Sequence, residues 1–533
     1  MVEENKQSFW NTFLYKHRKD ELPPPDDRSG KVERALPASL EATKDALKQA
    51  LGEPKDLFFR PIENPALGRK FLLAAIEGLI DKKELALHVI EPLQNAPPQD
   101  ESSDIFEALG ETVISVPNWQ KIKTLDQAKS QLLDGNTLLF AEGLSSGIVI
   151  FNHQYEHRTV GEPITEQVIR GPIEGFVEAL RVNTALLRKH IKDERLRFES
   201  MTIGRRSKTK AVVAYVEGIA YPPRIDAVKE DLKSLDIDVV HDVAELSLLL
   251  QKRSFNIFPL SLTSERTDRV TAALMEGRIA VFIDNSPSAM VVPAIFIDFW
   301  RTPEDYYYSP LLATFFRILR MIVGNHLTMM LPALYISFTE FPTGIIGSQL
   351  IMNMAASREG IAFPPTVEVL LMLLMLDIIL EASQRLPRIV GGAVTIVGGL
   401  ILGQAAVQSK LASNIIVIIV AVTAITNLTV SNLSMLQAMR LLKYYFMIWA
   451  AFFGVVGVVF AATTVLAYVG SLKSYGVPYL SQMSAIHLRD LTDTIYLFSP
   501  KWRTNRPRTF KAEDGQHWDT QSMKYNEDSM DDI

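Results

Sequence analysis

Charge nearly vanishes from the chain between residues 306 and 472, whereas most of the first 305 residues mix charged and apolar positions. Within the uncharged stretch, three runs lack any Asp, Glu, Lys or Arg: 389–409, 411–439 and 444–472. Each is long enough to cross hydrocarbon. Two further runs are weaker. One, 321–339, is interrupted by Asn325, His326 and Pro332; the other, 364–384, carries Glu368, Asp377 and Glu381. The pattern predicts an all-α multi-pass membrane domain over 306–472 with about five spans, at 321–339, 364–384, 389–409, 411–432 and 444–470. Just before them, "YYYSPLLATFFRILR" sets aromatics beside Arg317 and Arg320, the composition of a helix lying in an interface.

The first half follows a different rhythm. "LLDGNTLLFAEGLSSGIVI" (132–150) and "LMEGRIAVFIDNSPSAMVV" (274–292) align at an offset of 142, with a helix end, a Gly, a strand, a polar turn and a second strand in the same order. Upstream, "KFLLAAIEGLID" matches "KAVVAYVEGIAY" at an offset of 140, and both are followed by helical patterns. This predicts a soluble α+β half made of two related α/β subdomains, at 63–155 and 201–305. Residues 156–200 read as a helical connector with solvated charges. Residues 1–62, with "ELPPPDD", read as a disordered polar arm, and 473–533 as a soluble tail ending in the disordered "KYNEDSMDDI".

Composition narrows the function. At 533 residues and a net charge of −6, several domains are expected and no bias toward nucleic acid exists. With no cysteine there are no disulfides, thiol catalysis or Cys-ligated zinc. There is no dinucleotide or P-loop glycine motif and no H-E-x-x-H, so neither enzymatic activity nor a metal or cofactor is expected. The start lacks a basic-then-apolar signal pattern, which places the soluble half in the cytoplasm. Arg317 and Arg320, Arg385 and Arg388, and Arg440 and Lys443 fall in alternate loops that would be cytoplasmic. Five spans would then export a tail whose Lys501, Arg503, Arg506 and Arg508 favour the inside; the uncharged 341–357 supplies a re-entrant or sixth segment.

The acids of 364–384 pose the main question. Ten Leu, Ile or Val lie between Val367 and Leu380. At about −0.3 to −0.6 kcal/mol each they favour insertion by about 3 to 6, against about 5 to 7 for two central acids. Insertion alone is a draw, so Glu368 and Asp377 require either burial against another helix or a water-filled path in an oligomer. Glu381 is one turn from Arg385 and is expected to pair with it. Gly391, Thr395, Gly399 and Gly403 repeat every four residues, a close-packing signal. Thr423, Thr426, Asn427 and Ser431 share a helix side that suits interhelical hydrogen bonds or a wet pore wall. Arg205, Arg206, Lys208 and Lys210 form a solvated basic turn or a contact for lipid phosphate or a partner.

Taken together, "EPITEQVIRGPIEGFVEALRVNTALLR", "IGRRSKTKAVVAYVEGIA", "ALMEGRIAVFIDNSP", "PEDYYYSP", "SREGIAFPPTVEVLLM", "RLPRIVGGAVTIVGGLILGQAAVQ" and "PKWRTNRPRTF" resemble the A subunits of the GerA-type spore germinant receptors, from about 70 to 508. The resemblance implies a multi-pass protein of the spore inner membrane acting with B and C subunits. It implies a homo-oligomeric ring, of five copies, that forms a ligand-gated cation channel triggering germination. Glu359, Glu368, Asp377 and Glu381 match acidic positions of the family's membrane motif and are pore or gating candidates, with Thr423, Thr426 and Asn427 beside them. Leu373 and Leu380 stand where the receptors carry Glu and Arg, and Ser383 where Gly is usual. That departure points toward an accessory paralogue of the SpoVA-operon type that amplifies germination. A secondary transporter is the remaining alternative, and the lack of any repeat in the membrane half argues against it.

Overall fold

The computed structural model describes residues 34–517 except 55, 66, 81, 98–104, 107–108, 110–118, 152–162, 164–165, 252–255, 342–346, 387, 484–491 and 500–502, with the backbone alone at 325, 348, 384 and 388–397. Residues 1–33 and the acidic end therefore lie outside the described residues. The chain divides into two compact units, Met1–Tyr155 and Glu156–Ile533.

In the first unit, α1 (Leu40–Leu51) precedes β1 (Leu57–Asn64) and β2 (Arg69–Ile76). A helix, α2, runs from Lys82–Leu85 through a π-turn at Ala86–Ile90 into Glu91–Gln94. Then come β3 (Trp119–Ile122), α3 (Leu125–Leu133), β4 (Thr137–Ala141) and β5 (Gly147–Ile150). Within the polar arm assigned to 1–62, the described residues thus include a helix, α1, and most of a strand, β1. Leu47 and Leu51 of α1 are buried, and α1 packs on α3, so an amphipathic face holds this segment in place.

The second unit opens with α4 (Leu180–His190), β6 (Leu196–Ile203), β7 (Thr209–Val216), α5 (Pro222–Lys233) and α6 (Val243–Leu249). β8 (Leu262–Ser264), α7 (Thr267–Met275), β9 (Ile279–Ile283) and β10 (Ala289–Val292) complete its sheet. Both sheets are antiparallel, with orders β1-β2-β4-β5-β3 and β6-β7-β9-β10-β8. Phe71 pairs with Ala141 in one and Ala211 with Ile283 in the other, so the 140 and 142 offsets land on equivalent register positions. Every residue of β4 and β9 is buried, because helices cover both faces. The second sheet begins at Leu196, inside the stretch read as a connector; Arg188 there is buried, its guanidinium donating to the carbonyls of Asp193 and Leu196.

Beyond the sheet lie α8 (Pro310–Ile318), a π-turn at Leu319–Gly324, α9 (Asn325–Glu340), α10 (Ser348–Ser357), α11 (Pro365–Gln384), α12 (Arg388–Gln408) and α13 (Asn414–Asn427). α14 occupies Leu433–Ser471. Among the described residues, two stretches are long and apolar enough to cross a membrane, Pro310–Glu340 and Leu433–Ser471. α13 runs antiparallel to α9: the hydroxyl of Thr328 donates to that of Thr426 at 3.0 Å, and Tyr335 meets Ser413 at 3.4 Å. At the far end of α9, Glu340 accepts from Thr366 at the start of α11.

α14 does not form the single span expected over 444–470. Gly454 has φ 58° and ψ −139°, a conformation only glycine holds without strain, and the helix folds back there. Tyr445 and Thr464 hydroxyls meet at 2.8 Å, and the Trp449 and Phe460 rings lie 4.4 Å apart. In a straight helix those pairs would be separated by about 28 and 16 Å. A Cβ on Gly457 would fall 1.9 Å from the Trp449 carbonyl oxygen, so the two arms touch backbone to backbone. The bend packs on Phe341, at the far end of α9.

Because α14 returns, the tail emerges beside the second sheet. β11 (Lys473–Ser474) and β12 (Val477–Pro478) form a short ribbon. Ser474 donates to Leu260 O and accepts from Ala294 N; Phe296 N donates to Tyr479 O; Arg224 donates to Phe510 O at 2.8 Å. One apolar core runs from Phe176 and the α4–α7 face of this sheet through the helices to Phe510, and a second fills the α5–α6 face.

Candidate functional site

Two groups of charged residues are embedded in the second unit. The first lies among the helices. Glu368, on the first turn of α11, is 0% exposed; Arg358 donates to it at 3.1 Å, and Ser413 N at the start of α13 donates at 2.5 Å. Arg358 also donates to Phe363 O, which fixes it as a clamp across the 358–368 loop. Asp377 accepts from Arg440 at 3.1 Å and from the Tyr444 hydroxyl at 2.5 Å, with Lys443 Nζ at 2.8 Å. Both acids therefore have cations from elsewhere in the same chain, supplied by residues ten and more than sixty positions away. Each carboxylate thus has a counter-ion within a single copy of the chain.

The other candidates fall apart spatially. Glu359 is exposed in the turn after α10. Glu381 accepts from Arg385 at 2.8 Å, and the pair is open to the outside. Thr423, Thr426 and Asn427 are buried, Thr426 against Thr328 of α9: Thr423 donates to Ile419 O and Thr426 to Thr423 O, while both amide atoms of Asn427 lack a partner among the described residues. Of the small residues, a Cβ at Gly403 would meet Val417 at 3.5 Å, one at Gly399 would meet none of the described residues of other elements within 4 Å, and the packing around Gly391 lies outside the described residues. Arg205 pairs with Asp236 and Asp238, and Arg206 with Asp238, all at the surface; Lys208 and Lys210 are exposed nearby.

A second, larger group sits where the sheet meets the helices. Arg278, just before β9, donates to both oxygens of Asp298 at 2.6 and 3.0 Å, pairs with Glu276 at 2.8 Å and stacks on Phe510 at 4.0 Å. Arg301 donates to Gln482 and to the carbonyl of Asp493. Asp305 accepts from Arg317 at 2.9 Å and Arg320 at 2.5 Å. Arg317 reaches on to Asp493 at 2.7 Å, which also accepts from Tyr306 at 2.9 Å. Asp298, Asp305, Arg278, Arg301 and Arg317 are all buried. Burial pushes the Asp493 carboxyl up, but Arg301, Arg317 and Arg503 outweigh it and hold it below the ordinary carboxylate range. Although 40% of Tyr306 is exposed, its hydroxyl end is screened from water, and this, then Asp493, pushes the hydroxyl up to about 12. Glu276 is raised, chiefly by burial.

This network ties four segments together: the start of β9, the 296–307 linker, α8 leading into the helices, and the tail leaving them. From the sequence, Arg317 and Arg320 are expected as interfacial charges and as markers of a cytoplasmic loop, not as members of a buried network. The signal that could have found the network was "PEDYYYSP", an acid among aromatics directly ahead of two arginines; its partners Arg278 and Asp493 are too distant in sequence to be matched.

Comparison with known proteins gives a consistent result. The pattern described as "Bacillus/Clostridium GerA spore germination protein" matches residues 45–509. Spore germination protein B1 of Bacillus subtilis is 34% identical over 485 residues, covering 90% of this chain and 99% of that protein. The uncharacterized membrane protein YfkQ of the same organism is 33% identical, covering 83% and 85%. Among solved structures, the N-terminal domain of the A subunit of the Bacillus megaterium spore germinant receptor GerK3 is similar at 24% identity and a TM-score of 0.40, covering 50% of this chain and 99% of that one.

Proposed function

The chain belongs to the GerA family of spore germination proteins, and from that footing we propose that it is a non-enzymatic A-type subunit of a germinant receptor complex. It is embedded in the spore inner membrane by its helical part, several copies form a ring, and a signal received with B- and C-type partners opens a cation path. The observation that carries the membrane reading is the outer surface of the helices. Leu370, Leu374 and Ile378 of α11, Ile418 and Ile425 of α13, and Phe452, Val456, Val459 and Leu466 of α14 are all exposed. So continuous an apolar exterior suits lipid or neighbouring copies. The α11 stripe ends in Glu381, and with Glu359 this is the acid left to meet water in an assembly.

The ion network at the base supports a coupling role. It joins the way into and out of the helices to the sheet that partners would touch. An accessory role beside the receptors has one observation in its favour: Leu373 is fully buried in the apolar core, so this helix runs without the internal acid that the resemblance leads one to expect.

The test is electrical. Full-length protein in planar bilayers should give unitary cation currents, with selectivity lowered by Glu381→Gln. Stoichiometric solute flux without unitary currents would replace the channel by a carrier. Deleting the gene should abolish the response to one nutrient for a receptor subunit and slow every response for an accessory.

A further inference from the structure

A cavity of about 480 Å³ lies between the α5–α6 face of the second sheet and the point where α14 becomes the tail. Leu250, Leu260, Met290, Val292 and Leu472 give it an apolar lining. The polar groups in its wall are mostly engaged with the protein itself. Ser247 and Ser261 hydroxyls meet at 2.5 Å, Ser474 bridges Leu260 O and Ala294 N, Ser471 donates to Tyr468 O, and Asp231 sits beside Tyr475. Lys473 is different. It is exposed, lines the same cavity and makes no ion pair among the described residues.

The Gln251 amide and the Asp231 carboxylate, held beside Tyr475, also line the wall, and Lys473 is the one cation among the described lining residues; a largely apolar chamber with an ammonium at an exposed position suits a molecule with an apolar body and a single anionic end. Its size falls within the range of small-molecule sites. Its position matters as much: Ser471 and Leu472 are the last residues before the tail, where the return arm of the α14 hairpin leaves the apolar layer. We propose that this cavity takes the acyl chain of an anionic amphiphile, whose phosphate or carboxylate rests on Lys473. Bound there, the chain bridges α6 and β10 to the outgoing arm of the hairpin, so occupancy would set how firmly that arm is held. A membrane phospholipid and a free fatty acid share this chemistry. The phospholipid source rests on the membrane reading above; the fatty-acid source does not.

The experiment is photolabelling of the full-length protein with probes bearing a diazirine at the chain end. One arm uses phosphatidylglycerol or phosphatidylcholine in vesicles, the other a free fatty acid in neutral detergent. Labelling should appear on peptides holding Met290 and Leu260, stronger for phosphatidylglycerol than phosphatidylcholine. Lys473→Gln should weaken the anionic probes about fivefold, the effect of one basic residue beside an anionic head group. Val292→Trp should remove labelling by filling the chamber; since it could unfold the protein, the exposed Lys473 variant carries the decision. Labelling by the fatty acid alone would keep the site and its chemistry while counting against the bilayer placement. Absence of label on these peptides with every probe, or equal label from both phospholipids unchanged by Lys473→Gln, would overturn the proposal.

Discussion

At the scale of single residues, charge inside the helices is the dominant energetic fact. Taking Arg358 away from Glu368 would leave a carboxylate with no exposure and no cation, which costs about 3–5 kcal/mol. Arg358→Ala should therefore lower the melting temperature of the detergent-solubilised protein. Arg358→Met with Glu368→Leu should recover most of the loss, since no charge is then stranded. An unaltered melt for the single variant would contradict the burial. In the sheet half, Glu174 is lowered to about 2, first by the hydrogen bond from His190 at 2.6 Å and then by Lys189 at 2.7 Å. A depressed carboxylate stabilises fully above its unfolded value of about 4.5, and that contribution fades as pH falls toward about 2. Unfolding followed across that window should be less pH-dependent in Glu174→Gln. Glu368 and Asp377 were legible in the sequence as problems, but their partners were not, because a linear pattern shows an acid among Leu without showing which arginine the fold brings to it.

Among the elements, α14 is the one that changes the molecule's topology. Its run of 29 uncharged residues, 444–472, reads as one long span, and only the Gly454 backbone conformation makes it two arms. Any Cβ at that φ is strained by about 1–3 kcal/mol, and here it would also meet the Phe341 side chain at 3.0 Å. Gly454→Ala should lower the melting temperature and loosen the Trp449–Phe460 contact, readable as a shift in tryptophan emission. The chain has no cysteine, so single cysteines give a clean map of sides. Introduced at exposed Arg206 and Tyr496, they should react with an impermeant maleimide from the same face, and at Glu359 from the opposite one. Tyr496→Cys labelling together with Glu359→Cys would mean that the last apolar run crosses once after all. By contrast, the duplicated sheets needed no structure to be noticed, since their strands and turns recur at nearly constant offset and the same pattern folds to the same strand order.

For the whole molecule, the buried ion network decides whether the helices and the second sheet act as one body. Arg317 touches Asp305 on the linker and Asp493 on the tail. Arg317→Ala should destabilise the protein by about 3–5 kcal/mol and free the tail, seen as faster limited proteolysis beyond Leu472. A tail as resistant as before would place its anchor elsewhere, in the Arg224–Phe510 and Arg506–Met275 contacts. By itself, the order of residues determined the boundary between a charged half and an uncharged one, the internal duplication, and the family, because each depends on composition or on spacing along the chain. Tertiary structure decided the counter-ions of Glu368 and Asp377, the fold-back at Gly454 and the return of the tail to the sheet. Those depend on contacts between residues up to nearly three hundred positions apart and on one backbone angle, neither of which leaves a periodic trace in the sequence.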